Sequence, residues 1–250
     1  MHKICFVPSI IAETYKEADK PPKFKRHEDY DYFLFTNLDP SLFDTTWTVT
    51  QLENKYIANC PSNIIKSRYI KFMAWKYLTK VLGKRYDVII YCDGAFVPQY
   101  RFNWEQLAKD AHMYGLVQKK HARCARQECR LLENRPHKDS PERTRGIRRL
   151  LNAHAFPKNL LMTENGFFAY DPNNAAVTSA FNSFWDLFVT DITNRDQPLW
   201  SYFLWKCRLK PLIYSDKKWR DSFAPIMKKS VGFNGHRHAI RPKSNAPKES

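Results

Sequence analysis

A single carboxylate follows one of the apolar runs of this chain. In the stretch DVIIYCDGA, the apolar residues Val88–Cys92 are followed at once by Asp93 and Gly94. In an open parallel sheet, ligands bind outside the carboxyl ends of the strands, and a glycine there permits close approach of the backbone. Asp93 in that place can coordinate a divalent cation, which would neutralise a diphosphate as it departs. The alternative is an ordinary strand that ends in a turn.

Two basic residues stand three positions apart in the segment before that run. Arg68 and Lys71 fall on one face of a helix at this spacing, and both side chains have the chemistry to bind a diphosphate or a nucleotide. Tyr69 and Phe72 are predicted to hold the neighbouring face in the core, which would aim the basic edge at the rim of a site. The alternative is a solvated basic edge.

A third group lies in the segment QKKHARCARQECR, where His121, Arg123 and Glu128 occur together. Alternating basic residues and an acid suit binding of a diphosphate or an acceptor, and they equally suit a salt-bridged helix face. His121 is a candidate ligand or acid, although a lone histidine is more often structural.

The elements that would position these residues alternate between strands and helices, which favours an α/β domain with a mainly parallel sheet flanked by helices. Strands are predicted at residues 3–7, 32–36, 47–51, 88–92 and 113–117. Helices are predicted at residues 61–83 and 175–190 and again after Asp196. Residues 133–149 are polar and hold two prolines, so they are predicted to form a loop or a partly helical excursion.

The composition indicates one basic globular domain. The 250 residues are 43% hydrophobic, and 41 Lys and Arg against 25 Asp and Glu leave a net charge of +16, which attracts polyanions, anionic lipids or phosphates. No run approaches the roughly 18–20 apolar residues of a membrane span, so we expect a soluble, cytoplasmic protein. The six cysteines show no CxxC spacing, which argues against a zinc cluster or a disulfide scaffold.

Four groups of residues carry a family resemblance. They are Arg68 with Lys71, Asp93 with Gly94, His121 with Arg123 and Glu128, and the triplet Arg195-Asp196-Gln197. In this order they resemble the motifs of a glycosyltransferase-like domain family of bacteria and of plant cell-wall polysaccharide proteins, long a domain of unknown function. The resemblance spans roughly residues 60–210.

The resemblance implies a nucleotide-sugar-dependent enzyme with a single GT-A-like, Rossmann-type domain over residues 1–240 and a disordered tail at 241–250. The usual metal motif of that fold is Asp-x-Asp, and here Ala95 stands in place of the second aspartate. If Mn²⁺ or Mg²⁺ binds, Asp93 needs further ligands, and His236 and His238 are the candidates.

Asp196 is the second candidate catalytic residue beside Asp93. A carboxylate at the start of a helix can deprotonate an acceptor hydroxyl or support the positive charge that develops on a transferred sugar. It can also be only a helix N-cap. The resemblance assigns donor binding to Arg68, Lys71, Asp93 and Gly94, and the candidates for substrate binding are Gln197, Arg195, His121, Arg123 and Glu164.

The function expected from these residues is transfer of a sugar from a nucleotide-diphosphate sugar to a hydroxyl of a glycan or glycoprotein acceptor. Two alternatives are a basic nucleic-acid-binding protein and a catalytically inactive relative that still binds sugar or nucleotide. None of the familiar nucleic-acid-binding motifs is present, so no nucleic-acid partner is expected. The basic clusters are compatible with peripheral membrane contact for a lipid-linked acceptor.

Overall fold

The computed structural model describes residues 1–94, 96–215, 218 and 222. The strands of this part are β1 (Ile4–Phe6), β2 (Ser9–Ile10), β3 (Asp31–Thr36), β4 (Thr48–Gln51), β5 (Val88–Cys92), β6 (Leu116–Cys124), β7 (Leu161–Tyr170) and β8 (Leu212–Tyr214). The α-helices are α1 (Asn63–Lys80), α2 (Trp104–Tyr114), α3 (Ala125–Glu133), α4 (Pro141–Ala153), α5 (Ala175–Phe188) and α6 (Asp196–Lys206).

The strands form one mixed, mainly parallel sheet. Their order is β2-β3-β1-β5-β7-β6-β8, and β4 also pairs with β3. The antiparallel partner is β7, which runs against both β5 and β6, whereas the other pairs are parallel. The predicted α/β class with a mainly parallel sheet is therefore confirmed. The reversal at β7 matters for the site, because it lays the middle of β7 beside the carboxyl end of β5.

Aromatic side chains fill the layers on both faces of the sheet. On one face, Phe72 of α1 packs against Phe184 of α5, with ring centroids 4.2 Å apart, and against Trp200 of α6. On the other face, Trp104 of α2 packs edge-on against Phe6 of β1. Trp185, Trp200 and Tyr202 of α5 and α6 are buried, so these rings fill the core and are not available to stack on a sugar.

One element prediction is wrong, and of the two alternatives predicted for residues 133–149 the partly helical one is correct. Residues 113 and 114 end α2 instead of starting a strand, since Gly115, with φ of 76°, terminates the helix and β6 begins only at Leu116. Residues 141–149 are helical, because Pro141 occupies the first turn, where a missing N–H costs nothing, and Ser140 caps the helix by accepting from the Arg143 N–H.

Some residues singled out in the sequence lie outside the part of the chain that the structure describes. His236, His238 and the expected tail at 241–250 lie outside the described residues.

Among the helices of the described part, none combines the length and the apolar character that a bilayer crossing requires.

Candidate functional site

Asp93 lies just beyond the end of β5 and is the most accessible acid of the site. Its side chain is 47% exposed, and its Oδ1 accepts a hydrogen bond of 2.7 Å from the Tyr91 hydroxyl. Burial raises the pKa of Tyr91 well above its usual value, and the charge of Asp93 adds to this effect, so Tyr91 remains a neutral donor. One carboxylate oxygen is thus held in place while the side chain still reaches solvent.

Two glycines allow the close packing around Asp93. A Cβ at position 94 would lie 2.8 Å from Ile10 Cγ1, so the close approach predicted at Gly94 is made by β2. A Cβ at position 166 would lie 3.0 Å from Asp93 Oδ2, and the Asp93 N–H donates to the Gly166 carbonyl at 2.9 Å. Gly166 on β7 therefore sets the space that the free oxygen of Asp93 occupies.

Replacing Gly166 by alanine should impair the site more than the fold. We expect Gly166→Ala to lower the rate of the sugar transfer expected from the sequence roughly ten- to a hundredfold. The new methyl group displaces the Asp93 carboxylate, and small misplacements at a reacting centre are costly. The melting temperature should change little, and both quantities are measured on the same preparation. Gly146→Ala in α4 is the control, since its Cβ would meet nothing nearer than Arg149 at 4.0 Å and alanine favours a helix. Equal losses of turnover in the two variants would contradict this role of Gly166.

The buried Lys71 forms ion pairs with both candidate catalytic acids, Asp93 and Asp196. Its Nζ lies 3.1 Å from Asp196 Oδ2 and 3.7 Å from Asp93 Oδ1, and the residue is only 3% exposed. The sequence predicted a basic edge aimed at a rim, and for Lys71 this is wrong, because the ammonium turns inward to a buried carboxylate. Arg68 keeps part of its side chain at the surface, with Nε 3.6 Å from Asp196 Oδ1.

Asp196 is enclosed and does not face an acceptor in this structure. It is 3% exposed, and besides Lys71 it accepts a hydrogen bond of 3.2 Å from the Asn165 side chain. Burial by itself would raise its pKa, but the charges of Lys71, Arg68 and Arg195 outweigh burial and hold the pKa of the carboxyl well below its usual range. A carboxylate held this way is a weak base.

The N-cap alternative for Asp196 also fails. The N-cap of α6 is Arg195, without a side-chain capping bond, and Asp196 is the first helical residue. Its side chain points to α1, whose Lys71 is 125 positions away in the sequence. Asp196 is therefore a tertiary anchor that ties the start of α6 to α1.

A chain of buried amides, which is not among the residues predicted for the site, supports that anchor. Gln118 of β6 donates to the Asn165 Oδ1 at 3.3 Å, and Trp200 of α6 donates to the Gln118 Oε1 at 3.3 Å. Gln118 and Asn165 are almost fully buried. No local signal singles them out, since Gln118 is followed by Lys119 and Asn165 stands between Glu164 and Gly166. Buried amides of this kind need partners.

Glu164 of β7 lies in a cluster with three of the predicted binding residues. Gln197 donates to Glu164 Oε2 at 2.9 Å, and Arg195 donates to Gln197 Oε1 at 3.2 Å. His121 Nε2 lies 3.6 Å from Glu164 Oε1. Since His121 Nδ1 accepts from the Arg123 N–H, we assign the proton of the neutral ring to Nε2, on the side of Glu164.

Arg123 and Glu128 form a salt bridge, which is one of the two alternatives predicted for this segment. The Arg123 guanidinium contacts the buried Glu128 carboxylate at 2.8 Å. This pair fixes the turn between β6 and α3, and through its backbone N–H Arg123 also orients His121. Its contribution to the site is thus indirect in this structure.

Among the residues that the structure describes, Asp93 has no companion ligands that would complete a cage for a divalent cation. Asp93 offers a carboxylate oxygen, which suits Mg²⁺ or Mn²⁺. In the described ranges, no three His, Cys, Asp or Glu side chains come close enough to form a metal cluster. Magnesium is often held by one or two carboxylates together with phosphate oxygens and water, and a single Asp93 matches that pattern.

Comparison with known proteins gives a likeness of fold. No family model matches the chain, and no curated protein matches its sequence. A solved structure with a similar fold is mouse xyloside xylosyltransferase 1 in its apo form. The match has a TM-score of 0.44 at 8% identity and covers 88% of this chain and 89% of that chain. This identity is too low for an activity or a substrate to be carried over.

Proposed function

We propose that the protein transfers a sugar from a nucleoside-diphosphate sugar to a hydroxyl of a glycan acceptor. One observation carries the proposal. Five segments that are far apart in the sequence meet at the carboxyl end of β5, namely those around residues 68, 93, 121, 164 and 196. That end of a strand is where open α/β sheets bind ligands. The meeting point combines exposed carboxylates with cations, which suits a sugar diphosphate.

The donor side of the proposed site is formed by Asp93 and the basic residues of α1. When the bond between the anomeric carbon and the diphosphate breaks, the leaving diphosphate keeps the electron pair and gains negative charge. The partly exposed Arg68 would contact that charge, and the buried Lys71 would stabilise it through the local field. A cation held by Asp93 would supply further stabilisation of the same charge.

The acceptor side is formed by Glu164 with its neighbours. Transfer makes a bond from the acceptor oxygen to the anomeric carbon, and the proton of that hydroxyl must leave. Asp93 and Glu164 are the more exposed carboxylates of the site and are the groups able to take it, whereas Asp196 is buried and ion-paired. Gln197 and His121 would orient acceptor hydroxyls. Asp196 would act as a positioning residue through Lys71 and Arg68.

Ligand-dependent stability tests the donor-binding part of this function. A ligand that binds only the folded state raises the melting temperature, so we expect a shift with one family of nucleotide sugars. The panel is run with Mn²⁺, with Mg²⁺ and with EDTA. A shift in melting temperature that EDTA abolishes supports a metal at Asp93. A shift that persists in EDTA supports binding of the donor without a metal.

Two outcomes would overturn the proposal. If DNA or RNA raises the melting temperature and no nucleotide sugar does, the basic surface binds nucleic acid instead. If a nucleotide sugar binds but neither transfer nor donor hydrolysis follows with any glycan acceptor, the chain is an inactive binding relative.

A further inference from the structure

The hairpin formed by α3, α4 and the loop between them, residues 125–153, carries an outer face of unmatched arginines. Arg130, Arg135, Arg145 and Arg149 are exposed. Within the residues that the structure describes, no acid forms an ion pair with any of these four. Arg145 and Arg149 lie one helical turn apart, opposite the buried Ile147 and Leu151, and like charges at this spacing destabilise a helix. An anionic partner would relieve this repulsion.

Other arginines of the α3–α4 hairpin do have structural partners. Arg148 pairs with Glu133 at 2.7 Å, and Arg143 pairs with Asp191. Arg126 donates to the Phe156 carbonyl at 3.0 Å. Besides Arg126, the arginines of the hairpin that have no ion pair among the described residues are therefore the four exposed ones, Arg130, Arg135, Arg145 and Arg149. Arginine suits phosphate groups in particular, because its planar guanidinium can donate two parallel hydrogen bonds.

The hairpin is fixed to the rim of the candidate site. Asp139, in its loop, is 2% exposed and accepts hydrogen bonds from the Thr193 hydroxyl at 2.5 Å and the Asn194 N–H at 3.2 Å. Those residues directly precede Arg195 and Asp196. At its other end, α3 continues from β6, which carries His121. A surface bound by the hairpin would thus lie next to the acceptor side.

Two exposed leucines lie near the start of α3, at the base of the hairpin. Leu160 and Leu161 are each 39% exposed and follow Lys158, and Leu161 pairs across the sheet with Cys124, the residue before α3. Basic residues beside exposed apolar side chains are typical of proteins that lie at a membrane interface. The sole Phe, Tyr or Trp between residues 125 and 161 is the buried Phe156, so this face offers no large aromatic ring for stacking nucleic-acid bases.

We propose that the α3–α4 hairpin docks the protein on an anionic lipid surface, with arginines against headgroup phosphates and Leu160 and Leu161 at the interface. This inference does not depend on the proposed sugar transfer, because it concerns binding and not turnover. Together with that function, it places the acceptor at a membrane.

Vesicle co-sedimentation of the full chain tests the proposal. We expect binding to phosphatidylcholine vesicles that contain phosphatidylglycerol, weakening as salt is raised, and no binding to pure phosphatidylcholine. The variant Arg145→Glu/Arg149→Glu should lower the partition coefficient roughly thirtyfold or more, since each basic residue near an anionic surface contributes about a factor of five to ten. Its melting temperature is measured to confirm that it folds.

The control is Lys16→Glu/Lys20→Glu, which makes the same change in net charge on exposed residues outside the hairpin. It should retain most of the vesicle binding. Absence of wild-type binding to anionic vesicles would overturn the proposal, as would an equal loss in both variants, which would mean unspecific attraction by net charge. Tight binding to a duplex RNA with no vesicle binding would assign the arginines to nucleic acid instead.

Discussion

Asp93→Asn should abolish most of the transfer activity while leaving the fold intact. The amide keeps the size of the side chain and a partner for the Tyr91 hydroxyl, but it removes the negative charge that would hold a cation or face the donor sugar. We expect turnover to fall by at least about a hundredfold, the usual scale for loss of one acid–base or charge-stabilising group. Transfer and donor hydrolysis are both measured with the nucleotide sugar that shifts the melting temperature.

The matched control is Asp186→Asn, since Asp186 is an exposed aspartate of α5 away from the site. Its turnover should equal that of the wild type. Stability should be similar in both variants, because the Asp93 side chain is half exposed and lies 3.7 Å from Lys71, a weaker contact than that of Asp196. Transfer by Asp93→Asn at near the wild-type rate would remove Asp93 from the reaction.

Asp196→Asn should have the largest effect on stability. The change leaves the buried Lys71 without its nearest counter-charge, and removing one member of a buried pair typically costs about 3–5 kcal/mol. Urea unfolding at pH 7 measures this difference. Lys71→Met/Asp196→Asn should be more stable than the sum of the single variants predicts, because no unpaired ammonium remains. Strict additivity in this double-mutant cycle would contradict the coupling.

The stability difference between wild type and Asp196→Asn should also depend on pH. The pKa of Asp196 is lowered in the folded protein, so its stabilising contribution is complete above the pKa of the unfolded chain, about 4. Below that pH the unfolded chain binds a proton that the folded protein does not, and the contribution is lost progressively toward the folded pKa. The difference should be constant between pH 5 and 8 and shrink by about 1.4 kcal/mol per pH unit below 4. A difference that grows on acidification would contradict the ion pairing.

Much of the fold followed from local patterns in the sequence. The apolar run at 88–92 predicted β5 with its observed bounds, and the predicted helix over 61–83 became α1. For residues 133–149 the two prolines and many charges left a loop and a partly helical excursion open, and burial of Ile147 and Leu151 decided for a helix. Tertiary contacts override weak local propensity in such segments.

The sequence by itself determined the candidate site residues and that their chemistry combines acids with cations. Asp93 at a strand end, and Arg68 and Lys71 on one helical face, required only local geometry. Only the tertiary structure decided which of these groups face solvent. Lys71 and Asp196 are far apart in the chain, and their pairing buries both, since a buried charge is tolerated only beside an opposite one. The antiparallel β7 likewise brought Asn165 and Glu164 to the carboxyl end of β5, a placement that depends on strand order and on no local pattern.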